Sequence, residues 1–239
     1  NMPGESNKAM SSSGLWPPDR SLYVVTDCSW LEGRSLEDVV AAALRGGAGV
    51  IQYREKTAST RHMVETASKL CALCRRHGAV FLVNDRVDVA LAADAHGVHL
   101  GQEDMPARAA RRILGPGKIL GVSIHDEEEI LRAEEDGADY VSVSPVFATS
   151  TKPDHQSPLG VRGTCVLVRR SRLPVAVIGG IDETNLEPLV RCGVRGICVV
   201  SAVMAARDPE GASRRLCLGI REVLKTLPSA DSGNVMDEA

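Results

Sequence analysis

The chain has 239 residues, of which 44% are hydrophobic and 25% charged, an ordinary composition for a globular protein with a large core. A formal net charge of −3 and an aromatic content of 3% exclude a global basic field and stacking platforms, so we expect no nucleic-acid partner. No apolar run approaches the ~18 residues needed to span a bilayer. The first twenty residues lack a secretory signal, so we expect no membrane partner and a cytoplasmic location. Seven cysteines without a small-domain framework predict reduced thiols.

The two ends of the chain differ from its middle in composition. Residues 1–20 are rich in Ser, Pro, Gly and Asn, and we interpret them as a flexible N-terminal segment or as residues added in cloning. Residues 228–239 have no apolar period and predict a flexible C-terminal tail. We expect the remaining residues, 21–227, to form a single catalytic domain.

Short β-branched and apolar runs alternate with helical stretches along this domain, which is typical of βα units around a parallel sheet. Eight such runs, about 25 residues apart, predict an α/β fold, a (β/α)8 TIM barrel in one domain. A doubly wound open sheet is the alternative, but TDCSWLEGRS after the first run is no glycine-rich phosphate turn. The runs are LYVVT (22–26), VIQYR (50–54), VFLVN (80–84), GVHLG (97–101), ILGVS (119–123), YVSVS (140–144), VAVIG (175–179) and ICVVS (197–201).

Four of the intervening stretches carry clear helix signals. The first begins at the N-cap signal Ser35 and ends at Gly46-Gly47. The second runs at helical period from Thr60 to Gly78. The third, DEEEILRAEEDGA, has acids in its first turn, where they complement the helix dipole, and the fourth is PEGASRRLCLGIREVLKTL.

Polar residues gather directly after the predicted strands. In a barrel the carboxyl ends of the strands meet at one face, and enzyme sites lie there. This concentration is the strongest signal of an enzyme site in the sequence. The residues after strands two to six include Gln52, Arg54, Glu55, Lys56, Asn84, Asp85, Gln102, Glu103, Asp104, Ser123, His125, Thr149, Ser150, Thr151 and Lys152.

A phosphate site is expected after the last two strands. Gly179 and Gly180 follow strand seven, and Ser201 precedes a helix after strand eight. This pair of loops is the recurrent phosphate site of barrels, where backbone N–H groups and a helix dipole hold the dianion. The alternative is that the glycines only permit a tight turn.

Cations and hydroxyl groups on two other loops predict a second anion site, large enough for a diphosphate. The alternative for these residues is solvated surface charge, which is the usual state of lysine. The residues are Arg54, Lys56, Lys152, Thr149, Ser150 and Thr151.

Two carboxylates, Asp85 and Asp104, follow adjacent strands. Mg²⁺ prefers one or two carboxylates together with waters and phosphate oxygens, so beside a diphosphate these residues predict a magnesium site. The alternative is that each aspartate caps a helix.

Two further groups of metal-ligand residue types are interpreted as packing. Cys71, Cys74 and His77 lie in a continuous helical pattern with no second pair of ligands, which argues against zinc. His96 and His99 are expected on one face of strand four, where isolated imidazoles are more often hydrogen-bonded than ligating.

Taken together, these motifs resemble thiamine-phosphate synthase, in the order and spacing of that family and over the whole core from Leu22 to Leu227. The resemblance implies a (β/α)8 transferase that uses Mg²⁺ to join a pyrimidine diphosphate to a thiazole phosphate with release of pyrophosphate. The motifs are QYREK (52–56), VNDR (83–86), GVHLGQED (97–104), GVSIH (121–125), SPVFATSTK (144–152), PLG (158–160), IGGI (178–181) and VVSA (199–202).

The resemblance also implies roles for individual residues. Lys56 and Lys152 would be catalytic, and Asp85 and Asp104 would bind Mg²⁺. The pyrimidine diphosphate would contact Gln52, Tyr53, Arg54, Glu55, Lys56, Asn84, Ser123 and Lys152. The thiazole phosphate would contact Thr149, Ser150, Thr151, Gly180, Val200 and Ser201.

Three other functions stay open at this point. A related thiazole tautomerase would bind a similar thiazole phosphate and use a histidine such as His125 for proton transfer. A Schiff-base aldolase would need Lys56 or Lys152 desolvated. A non-catalytic barrel would bind phosphate without turnover. The sequence leaves the formation of a homo-oligomer open.

Overall fold

The computed structural model of the protein describes residues 21–149 and 157–227. Eight parallel strands form a closed barrel in chain order, with β1 paired to β8. Every predicted run is a strand, and the fold is a single (β/α)8 barrel, as the sequence predicts. The strands are β1 Ser21–Val25, β2 Val50–Tyr53, β3 Val80–Asn84, β4 Gly97–Leu100, β5 Ile119–Ile124, β6 Tyr140–Val143, β7 Val175–Ile178 and β8 Gly196–Val199.

Helices connect the strands, and the four helices expected from the sequence are present. Their starts have the capping chemistry of the sequence signals: Ser35 accepts a hydrogen bond from the N–H of Asp38, and Asp126 accepts one from the N–H of Glu129. The described helices are α1 Leu36–Arg45, α2 Thr60–Arg76, α3 Val87–Ala92, α4 Ala107–Leu114, α5 Glu127–Glu135, α6 Gly160–Arg170, α7 Glu187–Arg191, α8 Ser201–Met204 and α9 Pro209–Lys225.

Five of the described helices are not among the four stretches with clear helix signals, and three of these five, α3, α7 and α8, are short. They have six, five and four residues, less than two turns, so no apolar period can develop along them. In the described parts of the chain no helix is long and apolar enough to cross a membrane.

Alternation along each strand divides the core into two layers. Leu22 and Val24 of β1 pack in the large cluster between the barrel and its helices, whereas Tyr23 and Val25 point into the barrel. Burying each large apolar side chain contributes roughly 2 kcal/mol. The barrel interior is built by Tyr23, Val25, Val50, Leu82, Ile119, Tyr140, Ala176 and Cys198.

A partly buried ion pair lies at the amino-terminal end of the barrel. Arg111 Nη2 of α4 lies 2.6 Å from Asp139 Oδ2, just before β6. The same carboxylate oxygen accepts the N–H of Leu120 at 2.7 Å. The other guanidinium nitrogens donate to backbone carbonyls of Gly115, Lys118 and Gly137. The pair therefore ties α4 to two neighbouring strands.

The structure corrects the prediction that all thiols are reduced. Cys165 of α6 and Cys192, directly after α7, form a disulfide with a Cα–Cα distance of 5.3 Å. The chain brings these cysteines together because α6 and α7 flank β7 on the outside of the barrel. The other five cysteines are free.

Candidate active site

A cavity of about 440 Å³ opens at the carboxyl ends of the strands. This is the face at which barrel enzymes carry their sites, and the volume suits a small phosphorylated molecule. Each of the eight strands contributes at least one residue to its wall. Eight of the predicted site residues line it: Gln52, Arg54, Asn84, Ser123, Thr149, Gly180, Val200 and Ser201.

A chain of hydrogen bonds forms the floor of the cavity. Gln52 Nε2 donates to the Tyr23 hydroxyl at 2.5 Å, and the hydroxyls of Tyr23 and Tyr140 are 2.8 Å apart. His99 Nδ1 lies 2.6 Å from the Tyr140 hydroxyl, and His99 Nε2 lies 2.8 Å from Ser123 Oγ. Burial raises the pKa of both tyrosines, so they stay neutral hydroxyl groups.

Two buried polar atoms in the cavity wall have no hydrogen-bond partner among the described residues. They are Arg54 Nε and Asn84 Oδ1. Asn84 is only 7% exposed, and the Arg54 guanidinium lies 3.7 Å from Asp27 Oδ2 through its Nη1. Because buried polar atoms in native proteins are normally paired, these two atoms mark a place where a ligand completes the hydrogen bonding.

A cluster of two carboxyl groups and one lysine lies beside the cavity. Lys56 Nζ pairs with Asp85 Oδ2, and Asp104 Oδ2 accepts the N–H of Gly101 at 2.6 Å. Burial, followed by the hydrogen bond to Asp85, raises the pKa of Asp104. The two aspartates predicted to share a cation are therefore in contact, although neither they nor Lys56 line the cavity itself.

Gly179 and Gly180 hold the loop after β6 against β7. Both have positive φ, 115° and 61°. A Cβ at Gly179 would lie 2.8 Å from the Pro145 Cβ, and one at Gly180 would lie 2.6 Å from the carbonyl oxygen of Ala148. Only glycine fits both conditions. Across the cavity wall, α8 begins at Ser201, and the first N–H groups of a helix have no partner within it.

Two predicted site residues have other roles. Tyr53 is the last residue of β2 and points outward into the layer between barrel and helices, where it is 2% exposed and its hydroxyl bonds to Thr66. Glu55 Oε1 accepts the N–H groups of Thr57 and Ala58, of which the Thr57 bond contributes most to the lowered pKa of Glu55. Neither side chain lines the cavity, since Tyr53 packs in the core and Glu55 shapes the loop, and their contacts with substrate stay predictions.

Three predicted residues, Ser150, Thr151 and Lys152, lie outside the described residues. Their roles stay predictions.

Sequence patterns did not indicate several residues of the cavity. Tyr23 and Tyr140 lie in runs that are buried on both faces, so no period marks the side that faces inward. Asp27, which also lines the cavity, could have been found from the sequence, since it is a polar residue that follows the first strand. The expectation that His96 and His99 share one face of the strand is wrong, because positions three apart in a strand face opposite sides. His99 points into the cavity, whereas His96 Nδ1 accepts the backbone N–H of Phe81.

The histidine of the tautomerase alternative is not in the cavity. His125 Nδ1 lies 3.1 Å from the carbonyl oxygen of Ser144, and the backbone N–H of His125 donates to Glu129 Oε2. His125 is not among the lining residues.

The fold and the site together define a (β/α)8-barrel enzyme that acts on small molecules. The family model described as thiamine monophosphate synthase matches residues 22–203. The chain therefore belongs to the thiamine monophosphate synthase family.

Individual relatives agree with this assignment. A thiamine-phosphate synthase of Chloroflexus aurantiacus is 53% identical over 198 residues, covering 83% of this chain and 91% of the relative. One of Roseiflexus castenholzii is 49% identical over 203 residues, covering 84% and 89%. Among solved structures, thiamine phosphate pyrophosphorylase from Pyrococcus furiosus has a TM-score of 0.78 at 43% identity and covers 85% of this chain and 96% of its own.

A solved 3-hexulose-6-phosphate synthase, at 18% identity and a TM-score of 0.60, shares the fold alone. The matches assign this chain the activity of a thiamine-phosphate synthase, which is a transferase. They give no support to the tautomerase alternative.

Proposed function

We propose that the enzyme joins 4-amino-2-methyl-5-(diphosphooxymethyl)pyrimidine to a thiazole phosphate, releasing pyrophosphate and forming thiamine phosphate. One observation carries the proposal. A single cavity has two separate polar sides: Gln52, Asn84 and Ser123 on strands two, three and five, and Gly180 with Ser201 after strands seven and eight.

The pyrimidine diphosphate belongs to the first side. Gln52 and Ser123 offer hydrogen bonds to the ring, and the unpaired Asn84 Oδ1 and Arg54 Nε are ready for polar groups of the same ligand. Lys56, 47% exposed, supplies positive charge beside them for the diphosphate. Lys152 is proposed from the sequence as a second cation on the diphosphate.

Mg²⁺ is proposed as the cofactor, and the residues present fit it. Asp85 and Asp104 are in contact, and burial together with this contact raises the pKa of Asp104, so a divalent cation would relieve their repulsion. In the described part of the chain no group of three or more His, Cys, Asp or Glu residues is placed to hold a metal. Two carboxylates, completed by waters and phosphate oxygens, suit Mg²⁺. When bound, the ion would neutralise charge on the diphosphate.

The thiazole phosphate belongs to the second side. Gly180 and Ser201 line this side of the cavity, and Val200 and Thr149 line the same wall. Backbone N–H groups at such a turn and helix start bind phosphate without a cation. Ser150 and Thr151 are proposed from the sequence to add hydroxyl donors.

These residues support a dissociative reaction. The aminopyrimidine ring can stabilise positive charge on its methylene group, so the bond from the methylene carbon to the diphosphate oxygen breaks first and the thiazole nitrogen then forms the new C–N bond. The protein has to neutralise the leaving group and hold the nitrogen in place. No covalent nucleophile is needed, and burial raises the pKa of Cys198, the thiol in the cavity, which therefore stays protonated.

The proposal is tested by an assay with both substrates, following thiamine phosphate by fluorescence after oxidation. We expect product only when the pyrimidine diphosphate, the thiazole phosphate and Mg²⁺ are all present, with one pyrophosphate released for each thiamine phosphate. Product without the pyrimidine diphosphate would contradict the proposal. Trapping of substrate on Lys152 by borohydride would favour the aldolase. A cytoplasmic location and the absence of a nucleic-acid partner stay predictions.

A further inference from the structure

The hydrogen-bonded chain under the cavity crosses the barrel from β2 to β5. It runs from Gln52 through Tyr23, Tyr140 and His99 to Ser123, with successive distances between 2.5 and 2.8 Å. We call these five residues the relay. The two ends of the relay, Gln52 and Ser123, are the groups that the proposed function assigns to the pyrimidine ring.

A glycine in β5, Gly121, leaves the space that the relay occupies. Gly121 of β5 faces Tyr140 of β6, and a Cβ at Gly121 would collide with the Tyr140 ring and hydroxyl. The glycine lets that ring cross the interior and reach both Tyr23 and His99. The geometry of the relay therefore depends on the close approach of these two strands.

One end of the relay sets the direction of its protons. An amide nitrogen can only donate, so Gln52 Nε2 gives its hydrogen to the Tyr23 oxygen. Chains in which each hydroxyl accepts one hydrogen bond and donates the next are strengthened cooperatively. Tyr23 then donates to Tyr140, and Tyr140 donates to His99 Nδ1. His99 carries its hydrogen on Nε2 and donates to Ser123 Oγ, so the Ser123 hydroxyl hydrogen is left for the cavity.

We propose that the relay makes the enzyme selective for a 4-aminopyrimidine over its 4-oxo analogue, by presenting Gln52 as a hydrogen-bond acceptor and Ser123 as a donor. This inference rests on the proposed function. The amide nitrogen of Gln52 is held by Tyr23, so its carbonyl oxygen is the atom left to accept from the amino group. The Ser123 hydroxyl donates to a ring nitrogen.

An oxo group in place of the amino group would set two acceptor oxygens against each other. A site built to hydrogen-bond one group rejects an analogue that leaves its buried polar atoms unpaired. Tyr23, Tyr140 and His99 are positioning residues in this scheme, because they act on the ring through Gln52 and Ser123.

The first arm of the test measures the His99 tautomer by ¹H–¹⁵N correlation spectra of the full-length protein with labelled histidine. The His99 signals are assigned by their loss in His99→Gln. We expect a neutral imidazole with its hydrogen on Nε2, and loss of this single tautomer in Tyr140→Phe. A wild-type hydrogen on Nδ1, or an unchanged tautomer in Tyr140→Phe, would overturn the direction of the relay.

The second arm compares kcat/KM for the 4-amino and 4-oxo pyrimidine diphosphates. Tyr23→Phe frees the Gln52 amide to rotate and donate to the oxo group, so we expect the preference for the amino substrate to fall about tenfold or more. Tyr53→Phe is the matched control, since it removes a buried hydroxyl from the next strand that faces away from the relay. It should change neither the preference nor the tautomer.

The outcomes of the two arms distinguish a failure of the relay from a failure of the proposed function. If the wild type forms no thiamine phosphate, the proposed function fails while the tautomer measurement still decides the relay. If the wild type is active but Tyr23→Phe keeps the full preference, the selectivity is overturned. Should Tyr23→Phe not fold, His99→Gln breaks the relay one link before Ser123, and the same preference is measured.

Discussion

The two ends of the barrel differ in how their charged side chains are hydrogen-bonded. At the amino-terminal end, Arg111 donates to Asp139 and to three backbone carbonyls, and all its nitrogens have partners. At the carboxyl-terminal end, Arg54 Nε is buried without a partner among the described residues. The same residue type is thus satisfied by the protein at one end and left for a ligand at the other.

The carboxylates show the same difference. Asp139 meets an arginine and a backbone N–H, so its charge is compensated within the fold. Asp104 also accepts a backbone N–H, but it meets a second carboxyl group instead of an arginine, and burial followed by this contact raises its pKa. We infer that the amino-terminal end contributes stability and that the carboxyl-terminal end gives up stability for binding, a division expected of barrel enzymes.

The largest expected effect is at the carboxyl-terminal end. Chelation of Mg²⁺ by EDTA, or the double change Asp85→Asn and Asp104→Asn, should lower kcat/KM on the order of 10³-fold, equivalent to about 4 kcal/mol. The reason is the loss of the proposed metal site, which would neutralise the leaving diphosphate. Steady-state kinetics with added Mg²⁺ measure this, and Mg²⁺ should restore only the wild type. Full turnover in the double variant would remove the metal site from this position.

The next effect is at the amino-terminal end. Asp139→Ala leaves the partly buried Arg111 guanidinium without its counter-charge and the N–H of Leu120 without its acceptor, and we expect the free energy of unfolding to fall by about 3 kcal/mol. Urea unfolding measures the loss. The folded fraction should keep wild-type kcat/KM, since Asp139 is not among the residues that line the cavity. A drop in kcat/KM with unchanged stability would contradict the division between the two ends.

A smaller effect on kcat/KM is expected when Lys56, a cation beside the cavity, is compared with His125. Lys56→Ala should lower kcat/KM about 100-fold, because it removes the proposed charge-assisted contact to the leaving group. His125→Asn should stay within about threefold of wild type, since His125 does not line the cavity and its ring bonds to the backbone carbonyl of Ser144. The same assay with both substrates serves for each. The reverse ranking, with His125 indispensable and Lys56 neutral, would return the tautomerase as the better assignment.

The smallest effect on stability is expected from the unsatisfied arginine itself. Arg54→Met removes a buried nitrogen that has no partner among the described residues, together with a long ion pair to Asp27, so the free energy of unfolding should fall by no more than about 1 kcal/mol. Activity should nevertheless fall clearly, because Arg54 lines the cavity. Paired urea unfolding and kinetics test this. A loss of stability as large as that of Asp139→Ala would show that Arg54 supports the fold as Arg111 does.

Local signals in the sequence were enough for most of the fold. The eight runs became strands because β-branched and apolar residues suit buried parallel strands, and Ser35 starts α1 because its hydroxyl caps a free N–H. Short helices such as α7 were not predicted because five residues cannot show a helical period. The disulfide between Cys165 and Cys192 was not predicted, because these cysteines are 27 residues apart in sequence and their pairing depends on how two outer helices pack.

By itself the sequence determined the barrel, the end of it that holds the site and most of the polar residues there, because strand ends are local features and the barrel gathers them at one face. Only the tertiary structure decided which side of each strand faces inward. In runs buried on both faces no alternation distinguishes Tyr53, which packs outward, from Gln52, which faces the cavity. The relay through Tyr23, Tyr140 and His99 exists only after the barrel closes, because its members are far apart in the chain and meet across the interior.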